Sequence, residues 1–478
     1  MTKKNEIPAL VLALGTTLLL LGGGFWWLTR HTELGRNLSQ SLPEITPSAD
    51  PAAPNSPGQS ALEQRFSTGE RLLITGVTSA QKEAGISAIA SGDFAQAVSS
   101  LEASLQQNRN DPEALIYLNN ARIGNGQSYT LAVAVPTTTS VDPAQEILRG
   151  VAQAQRQVNE AGGINGVPLR IVIANDDNAP TVAAQVAESL VQDPTVLGVV
   201  GHFGSETSLA AGEVYQQGGL VMVSPTSTAV GLSGFGDAVF RTVPSDRFTA
   251  TTLSRYLVNS LQQRNAAIYF NADSDYSRSL KDELTTALLS DGGQVVAEIN
   301  VAQPSFNASN SLDQVTQQGA EVLVLATNTA TLDQALQVVQ ANQNRLPLLG
   351  GDSLYNPQLL QRGGDNAADM VVTVPWILLS NPNTPFVATA RQLWGGGDVN
   401  WRTAMAYDAV LALAAGLAPN PSRSGLQATL SGSGFTTEGA TGTIRFLPSG
   451  DRNQAMQLVQ VRPGTRSGYG YDFVPVQP

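Results

Sequence analysis

The segment that decides the fold is Gly198–Thr228, which reads GVVGHFGSETSLAAGEVYQQGGLVMVSPTST. Two β-rich apolar runs, Val196–Gly201 and Leu220–Ser224, each end in small polar residues, and a helical pattern lies between them. In an open α/β sheet, ligands bind beyond the carboxyl ends of the strands, where the first N–H groups of a helix lack intrahelical partners. The segment therefore predicts a site that holds a carboxylate by hydrogen bonds rather than by a fixed cation.

The same alternation of strands and helices extends through the chain from Tyr129 onward. The strand-like runs Leu131–Val135 and Leu169–Ala174 flank a helical pattern, and a second series begins at Ala266–Phe270. Two such series predict an α/β fold with two doubly wound lobes and parallel sheets. We expect a ligand to bind between the lobes.

Composition and charge exclude several classes of function. The chain has 478 residues, a net charge of -12, no cysteine and two histidines, His31 and His202. A nucleic-acid partner requires clustered Lys and Arg, which this acidic chain does not offer. Disulfides, thiolate sites and multi-histidine metal sites are excluded. The sequence also lacks a G-x-S-x-G motif and a phosphate-binding loop, so it predicts no enzyme, cofactor or metal.

An apolar segment near the N-terminus, Ile7–Leu28, predicts a transmembrane anchor, because about 20 apolar residues span a bilayer. Its paired tryptophans, Trp26 and Trp27, lie where an interfacial belt is expected. A cleaved signal peptide is the alternative, although no small-x-small cleavage site follows. The proline-rich residues 39–60 predict an extended spacer. We therefore expect a membrane-anchored protein whose soluble domain lies in the periplasm or extracellular space.

Residues 61–125 show a helical pattern. Gly92-Asp93-Phe94 precedes one helix, and Asn110-Asp111-Pro112 begins the next. This arrangement resembles a tetratricopeptide repeat, in which small residues lie where two helices cross. Because one repeat cannot bury its own apolar face, a plain helical hairpin packed on the neighbouring domain is the alternative.

A series of ordered motifs carries a resemblance to a known family. They are Asn159 followed by Glu160–Gly166 (EAGGING), Asp176-Asp177, Gly201-His202, Ser224-Pro225, Tyr407-Asp408-Ala409 and Gly442-Thr443-Ile444. In order and spacing, residues 129–464 resemble the type I periplasmic substrate-binding proteins, specifically the leucine/isoleucine/valine-binding branch of the ABC amino-acid transport systems. The resemblance implies two lobes joined by three crossovers. One lobe would comprise residues 129–247 and 376–450, and the other residues 248–375 and 451–470.

The resemblance also implies a set of ligand contacts. Ser205 and Thr228 lie where hydroxyls, together with the Thr226 backbone, grip an α-carboxylate. Asp352 lies where a carboxylate receives the α-ammonium, and Tyr276 where an aromatic ring from the second lobe covers the ligand. These roles suit a zwitterion, because each of its charges needs a partner once it leaves water. The residues alone leave open that Ser205 only caps a helix and that the others only form turns.

The chain departs from the family pattern where the side chain of the ligand would lie. Pro136–Val141 is polar and has no aromatic residue, and Asn328 and Thr329 replace aromatic residues, so Asn328 is a further predicted ligand contact. Asp352 is one methylene shorter than the glutamate of the family. With these departures, a polar or smaller amino acid, or an amide, fits at least as well as an aliphatic one. Glu206 offers a carboxylate for a basic side chain, although the helix dipole alone favours an acid in a first turn.

The sequence thus predicts an extracytoplasmic solute-binding protein without catalytic activity. Such a protein would capture an amino acid or related small polar molecule in the interlobe cleft for an ABC permease or a signalling partner. The alternative is a membrane-tethered scaffold, in which the lobes are structural and the helical module of residues 61–125 binds a protein partner.

Overall fold

Strands and helices alternate through residues 61–76 and 78–476, the part of the chain that the computed structural model describes. Helix α4 illustrates the pattern, because its apolar residues at positions 144, 147, 148 and 151 share one buried face. The helices within the described residues are α1 (Ala80–Ala90), α2 (Phe94–Gln107), α3 (Pro112–Ile123), α4 (Val141–Glu160), α5 (Pro180–Gln192), α6 (Ser205–Gly218), α7 (Asp246–Arg255), α8 (Asp275–Ser290), α9 (Ala308–Gln317), α10 (Leu332–Asn342), α11 (Pro385–Leu393), α12 (Trp401–Leu417) and α13 (Arg423–Leu430).

The first sheet has six strands and forms the centre of what we call lobe 1. Its spatial order is β1 (Phe66–Ser67), β3 (Leu169–Asn175), β2 (Tyr129–Val135), β4 (Val196–Val200), β5 (Val221–Ser224) and β6 (Val239–Arg241). All neighbours are parallel except β1, which pairs with β3 in the antiparallel sense. Alternate residues of β2 belong to two different apolar clusters, one on each face of the sheet.

The second sheet has seven strands and forms the centre of lobe 2. Its spatial order is β15 (Tyr471–Pro475), β14 (Gln457–Pro463), β11 (Val371–Val374), β10 (Leu348–Gly350), β9 (Val322–Ala326), β7 (Asn265–Phe270) and β8 (Gln294–Asn300). A separate pair, β12 (Thr437–Gly439) and β13 (Gly442–Ile444), is antiparallel.

The predicted α/β fold with two lobes is confirmed, but the sheets are mixed rather than wholly parallel. Strands β14 and β15 run antiparallel to their neighbours at one edge of the second sheet. The physical reason is the connection, because β14 and β15 are joined by a loop too short for the crossover that parallel strands need. Strand β15 also extends the second sheet to Pro475, beyond the expected end at residue 470.

The chain passes between the two sheets three times: after β6, after β11 and before β14. Two buried ion pairs fix the last of these passages. Arg241 Nε lies 2.6 Å from Asp451 Oδ1, and Arg452 Nη1 lies 2.7 Å from Asp408 Oδ2. Buried charges require partners with good geometry, so these pairs hold the connecting segment against lobe 1. The lobe boundaries expected from the sequence stay a prediction.

Helices α1, α2 and α3 form a helical module that packs on lobe 1. The Asn120 side chain pairs with the backbone of Ile171 in β3, donating to its carbonyl at 2.7 Å and accepting from its N–H at 3.1 Å. Asn119 donates to Gln155 of α4 at 3.2 Å. Lobe 1 thus covers the apolar face that a single pair of helices cannot bury by itself. The tetratricopeptide-like assignment of this module stays a prediction.

The predicted anchor Ile7–Leu28 and the predicted spacer of residues 39–60 lie outside the described residues. Among residues 61–76 and 78–476, no helix combines the length and the hydropathy needed to cross a bilayer.

A buried triad of charges lies at the centre of the helical module. Lys82 Nζ lies 2.8 Å from Asp111 Oδ2 and 2.8 Å from Glu113 Oε2. All three side chains are buried. Glu113 also accepts a hydrogen bond from the Leu73 N–H at 2.7 Å, which links the module to the segment before it.

We expect Lys82→Met to destabilise the protein by about 3–5 kcal/mol, because it leaves two buried carboxylates without a cation. Urea unfolding of the full chain measures the loss. Arg122→Met is the matched control in the same module, since its ion pair with Glu102 is exposed to solvent and contributes about 1 kcal/mol or less. Equal, small losses for both variants would contradict the assigned role of the triad.

Candidate functional site

A cavity of about 270 Å³ lies between the two lobes at the carboxyl ends of their strands. Both lobes contribute to its wall, which agrees with the position expected for a ligand in open α/β sheets. The lining residues are Thr139, Ser140, Asn178, Phe203, Gly204, Ser205, Glu206, Thr226, Ser274, Tyr276, Asn328, Thr329, Ala330, Asp352, Ser353, Trp401 and Arg402.

The start of helix α6 forms the wall of lobe 1 that suits an anion. Gly204 is the N-cap, and no side chain caps this end of the helix. Ser205 is the first helical residue. It is therefore not the N-cap, the alternative role that the sequence alone left open for it. Its Oγ accepts from the Ala229 N–H at 3.3 Å, which leaves its own proton free to donate to a ligand. A hydroxyl and the first N–H groups of α6 thus meet at one place, as anion binding requires.

The loop beneath this wall is held by buried hydrogen bonds. Thr226 Oγ1 donates to the Phe203 carbonyl at 2.8 Å. His202 is fully buried, with Nδ1 2.7 Å from Asp176 Oδ2 and Nε2 3.1 Å from the Tyr215 hydroxyl. His202 lies outside the cavity lining and orients the loop through these partners.

The opposite wall, from lobe 2, carries a buried carboxylate. Asp352 is only 3% exposed, and its Oδ1 accepts from the Tyr276 hydroxyl at 2.8 Å. Its Oδ2 has no hydrogen-bond partner among the residues that the structure describes. Burial raises the pKa of Asp352, while the Tyr276 hydrogen bond and the nearby charge of Arg402 act to lower it. Asp352 lines the cavity, and its unpartnered oxygen is suited to a cationic donor.

Asn328 completes this wall next to Asp352. It caps a short 3-10 turn and accepts from Thr331 Oγ1 at 2.8 Å. It also accepts from Asn271 Nδ2 at 3.2 Å. These contacts fix the orientation of the Asn328 amide, and Asn328 lines the cavity.

Arg402 is a cavity-lining residue that sequence reasoning did not single out. The first turn of α12 brings this cation into the cavity wall, while the expected carboxylate site at the start of α6, held by hydrogen bonds, stays a prediction. Its side chain is buried, its Cζ lies 4.3 Å from the Trp401 ring centroid, and its Nη1 lies 3.5 Å from the Tyr355 carbonyl. The helix dipole disfavours a cation in the first turn of a helix. This unusual placement is the sequence signal that could have identified Arg402.

The structure brings five of the six predicted contacts to one cavity. Ser205, Thr226, Tyr276, Asn328 and Asp352 all line it. The sixth, Thr228, is fully buried behind the wall, where its carbonyl accepts from the Asp246 N–H at 2.9 Å and its hydroxyl faces the Asp246 carboxylate. The α7 N-terminus therefore holds Thr228 away from the cavity surface, and its contact with a ligand stays a prediction.

The two segments expected to choose the ligand side chain also reach the cavity. Thr139 and Ser140 come from the loop after β2, and Asn328 and Thr329 come from the loop after β9. All four side chains are polar. This part of the wall therefore offers hydrogen bonds instead of the apolar surface that an aliphatic side chain needs.

Comparisons with known proteins agree with this architecture. The family model described as "Periplasmic binding protein" matches residues 128–467. An "Amino acid binding protein" of Pseudomonas aeruginosa is 31% identical over 199 residues, which are 40% of this chain and 52%, about half, of that relative. The "Leucine-, isoleucine-, valine-, threonine-, and alanine-binding protein" of the same organism is 25% identical over 67% of this chain and 86% of its own length. The crystal structure of an ABC transporter substrate-binding protein from Desulfitobacterium hafniense in complex with Leu has a TM-score of 0.62, with 25% identity over 73% of this chain and 100% of that one.

Asp246 is a second buried carboxylate, behind the cavity. It begins α7, where the chain enters lobe 2, and it faces the hydroxyls of Thr228 and Ser279. Burial raises the pKa of Asp246 to about 7. A carboxyl whose pKa is raised in the folded state contributes stability that is present below its unfolded pKa and is lost as the pH rises through the folded value.

We therefore expect the free energy of unfolding to fall between about pH 4 and pH 7, by up to about 4 kcal/mol from Asp246 alone. Asp246→Asn should remove this dependence and raise stability at pH 8 relative to the native chain. Urea unfolding at pH 5 and pH 8 measures both effects. Asp313→Asn, at an exposed position of α9, is the control, and a pH dependence unchanged by Asp246→Asn would contradict the assignment.

Proposed function

The chain belongs to the periplasmic binding protein family, and we propose that it captures an α-amino acid in the cavity between its lobes. It is a solute-binding protein, since the matching family is one of binding proteins rather than enzymes. The observation that carries the proposal is the opposition of two complementary groups across one cavity. Ser205, at the start of α6, lines the cavity from lobe 1, and Asp352, whose Oδ2 has no partner among the described residues, lines it from lobe 2.

The arrangement suits a zwitterion because each charge meets a group of matching character. Neutral N–H and O–H donors at the start of α6 are suited to an α-carboxylate, and the helix dipole adds to this preference. Asp352 is suited to an α-ammonium, which would supply the missing hydrogen bond to Oδ2. A bound amino acid would therefore satisfy groups on both lobes at once.

Direct contacts between the lobes indicate how closure is completed. Glu206 Oε1 of lobe 1 accepts from the Asp275 N–H of lobe 2 at 2.6 Å, at the start of α8. The Val230 N–H of lobe 1 donates to Ser279 Oγ of lobe 2 at 3.0 Å. These contacts act together with the ligand, because a molecule that contacts both lobes shifts the population toward the closed form.

The proposed ligand class differs from the branched-chain amino acids, although the name of one relative also includes threonine and alanine. The Desulfitobacterium protein was crystallised with Leu. For this chain we propose a ligand with a polar side chain. The proposal is supported by the polar residues of the cavity wall, Thr139, Ser140, Asn328 and Thr329. The bound amino acid would be delivered to an ABC transporter or presented to a receptor partner.

The roles proposed for the N-terminal residues rest on the sequence alone. We propose that Ile7–Leu28 anchors the protein in the membrane and that residues 39–60 act as a spacer. The helical module α1–α3, which we relate to a tetratricopeptide repeat, would then lie between the spacer and lobe 1.

We expect Asp352→Asn to weaken amino-acid binding by about 30-fold or more, because a buried ammonium would lose its counter-charge. Asparagine keeps an acceptor for the Tyr276 hydroxyl, so the wall should remain folded. Isothermal titration calorimetry of the full chain against the twenty amino acids measures the effect, with thermal unfolding as the check on folding.

Asp333→Asn is the matched control for this experiment, since Asp333 lies in lobe 2 with its side chain 68% exposed. It should bind as the native chain does. Native affinity in Asp352→Asn would overturn the assignment of Asp352, and no binding by the native chain to any amino acid would overturn the proposed function.

Glu206 provides a separate test of closure. Glu206→Gln keeps an acceptor but replaces a charge-assisted hydrogen bond with a neutral one, so we expect affinity to fall by about fivefold. Small-angle scattering should show less compaction on addition of the tightest-binding amino acid. Glu213→Gln, at an exposed position of the same helix, should leave both measurements unchanged, and equal behaviour of the two variants would contradict the closure role.

A further inference from the structure

Arg402 carries hydrogen-bonding capacity that the protein does not use. Its side chain is 6% exposed and lines the cavity. Its Nε has no hydrogen-bond partner among the described residues, and its Nη1 reaches the Tyr355 carbonyl only at 3.5 Å. A guanidinium has five N–H donors, and leaving them unpaired in a buried site is costly. An acceptor in the cavity would remove this cost.

The carboxylates near Arg402 are committed elsewhere. Glu146 is held by Arg149 and by the Thr403 hydroxyl. Burial lowers the pKa of Arg402 and the charge of Asp352 raises it, but Asp352 Oδ1 is held by the Tyr276 hydroxyl, and the two residues form no ion pair within the described part of the chain. Asp352 lines the same cavity, and its unpartnered oxygen is assigned to the proposed ammonium. Arg402 therefore lacks a carboxylate of its own.

Glu206 is the remaining acid in the cavity wall, and it too has a partner. Its carboxylate accepts from the Asp275 N–H at the start of α8. Glu206 itself lies in the first turn of α6. Two helix N-termini thus offset its negative charge, which makes it a poor receiver for a basic side chain.

Each polar group of the cavity wall can be assigned the kind of charged ligand group that it would bind. The start of α6 with Ser205 suits one anion, Asp352 suits one cation, and Arg402 suits a second anion. An α-amino acid with a neutral side chain satisfies the first two and leaves the Arg402 guanidinium without a carboxylate. The cavity of about 270 Å³ lies just below the usual range of small-molecule pockets, which fits a ligand of amino-acid size.

We infer that the cavity selects an α-amino acid whose side chain ends in a carboxylate, and that Arg402 receives that carboxylate. The planar guanidinium matches a carboxylate through two parallel hydrogen bonds. The Trp401 ring lies against Arg402 and fixes the plane of this group. The inference rests on the proposed function and names its ligand class.

Isothermal titration calorimetry of the full chain tests the inference with two matched pairs, L-glutamate with L-glutamine and L-aspartate with L-asparagine. Each pair differs in charge and hardly in shape. We expect at least one acid to bind about tenfold or more tightly than its own amide, as the loss of one charge-assisted interaction predicts. In Arg402→Met the ratio should fall to about one.

Arg391→Met is the control, because Arg391 lies on α11 of lobe 1 with its side chain 41% exposed. It should keep the native ratio. If Arg402→Met does not fold, the comparison of acid with amide in the native chain still decides the question, and Arg402→Lys tests whether the positive charge is what matters.

Two outcomes overturn the inference and leave the proposed function standing. One is tighter binding of an amide or of L-leucine than of either acid by the native chain. The other is an unchanged acid-to-amide ratio in Arg402→Met, which would make Arg402 structural. Absence of binding to both acids overturns the inference, and only absence of binding to all twenty amino acids overturns the proposed function as well.

Discussion

Two buried charged side chains with unsatisfied hydrogen-bonding groups face one cavity, and the rest of the site depends on them. Asp352 Oδ2 and Arg402 Nε have no partner within the described residues, although both side chains are more than nine-tenths buried. Such groups carry a desolvation cost that a protein tolerates where something else supplies the missing partner. In a cleft between two lobes, that partner can be a ligand. Because the ligand contacts both lobes, the same binding event that supplies the missing hydrogen bonds also favours closure.

The fold supplies this arrangement through the ends of its parallel strands. Strands β4 and β5 end next to each other in lobe 1, and β9 and β10 end next to each other in lobe 2. The site loops are also held by buried residues outside the cavity lining. Arg241 illustrates this, since it pairs with Asp451 near a crossover and also donates to the Ala229 carbonyl at 2.8 Å. The same side chain thus connects the passage between lobes to the loop that follows β5.

Much of this could be predicted from the sequence, because strand ends and helix starts are local patterns. The polar clusters after β4 and β5, and the acid after β10, were recognisable in order along the chain. Arg402 was not, since at the sequence level it begins a long apolar helix, and only the packing of α12 decides which way its first turn faces. Thr228 is also affected by long-range pairing, because it is fully buried and its carbonyl accepts from the α7 backbone 18 residues away. Its contact with a ligand stays a prediction. The antiparallel edge of the second sheet and the Asn120 contact with β3 likewise depend on long-range pairing that no local pattern records.

A crystal structure of the full chain with L-glutamate tests the central claim most directly. The account predicts that the α-ammonium lies about 2.7–3.2 Å from Asp352 Oδ2, that the α-carboxylate meets Ser205 and the start of α6, and that the side-chain carboxylate meets Arg402. A ligand bound with its ammonium away from Asp352, or one bound outside the interlobe cavity, would contradict it.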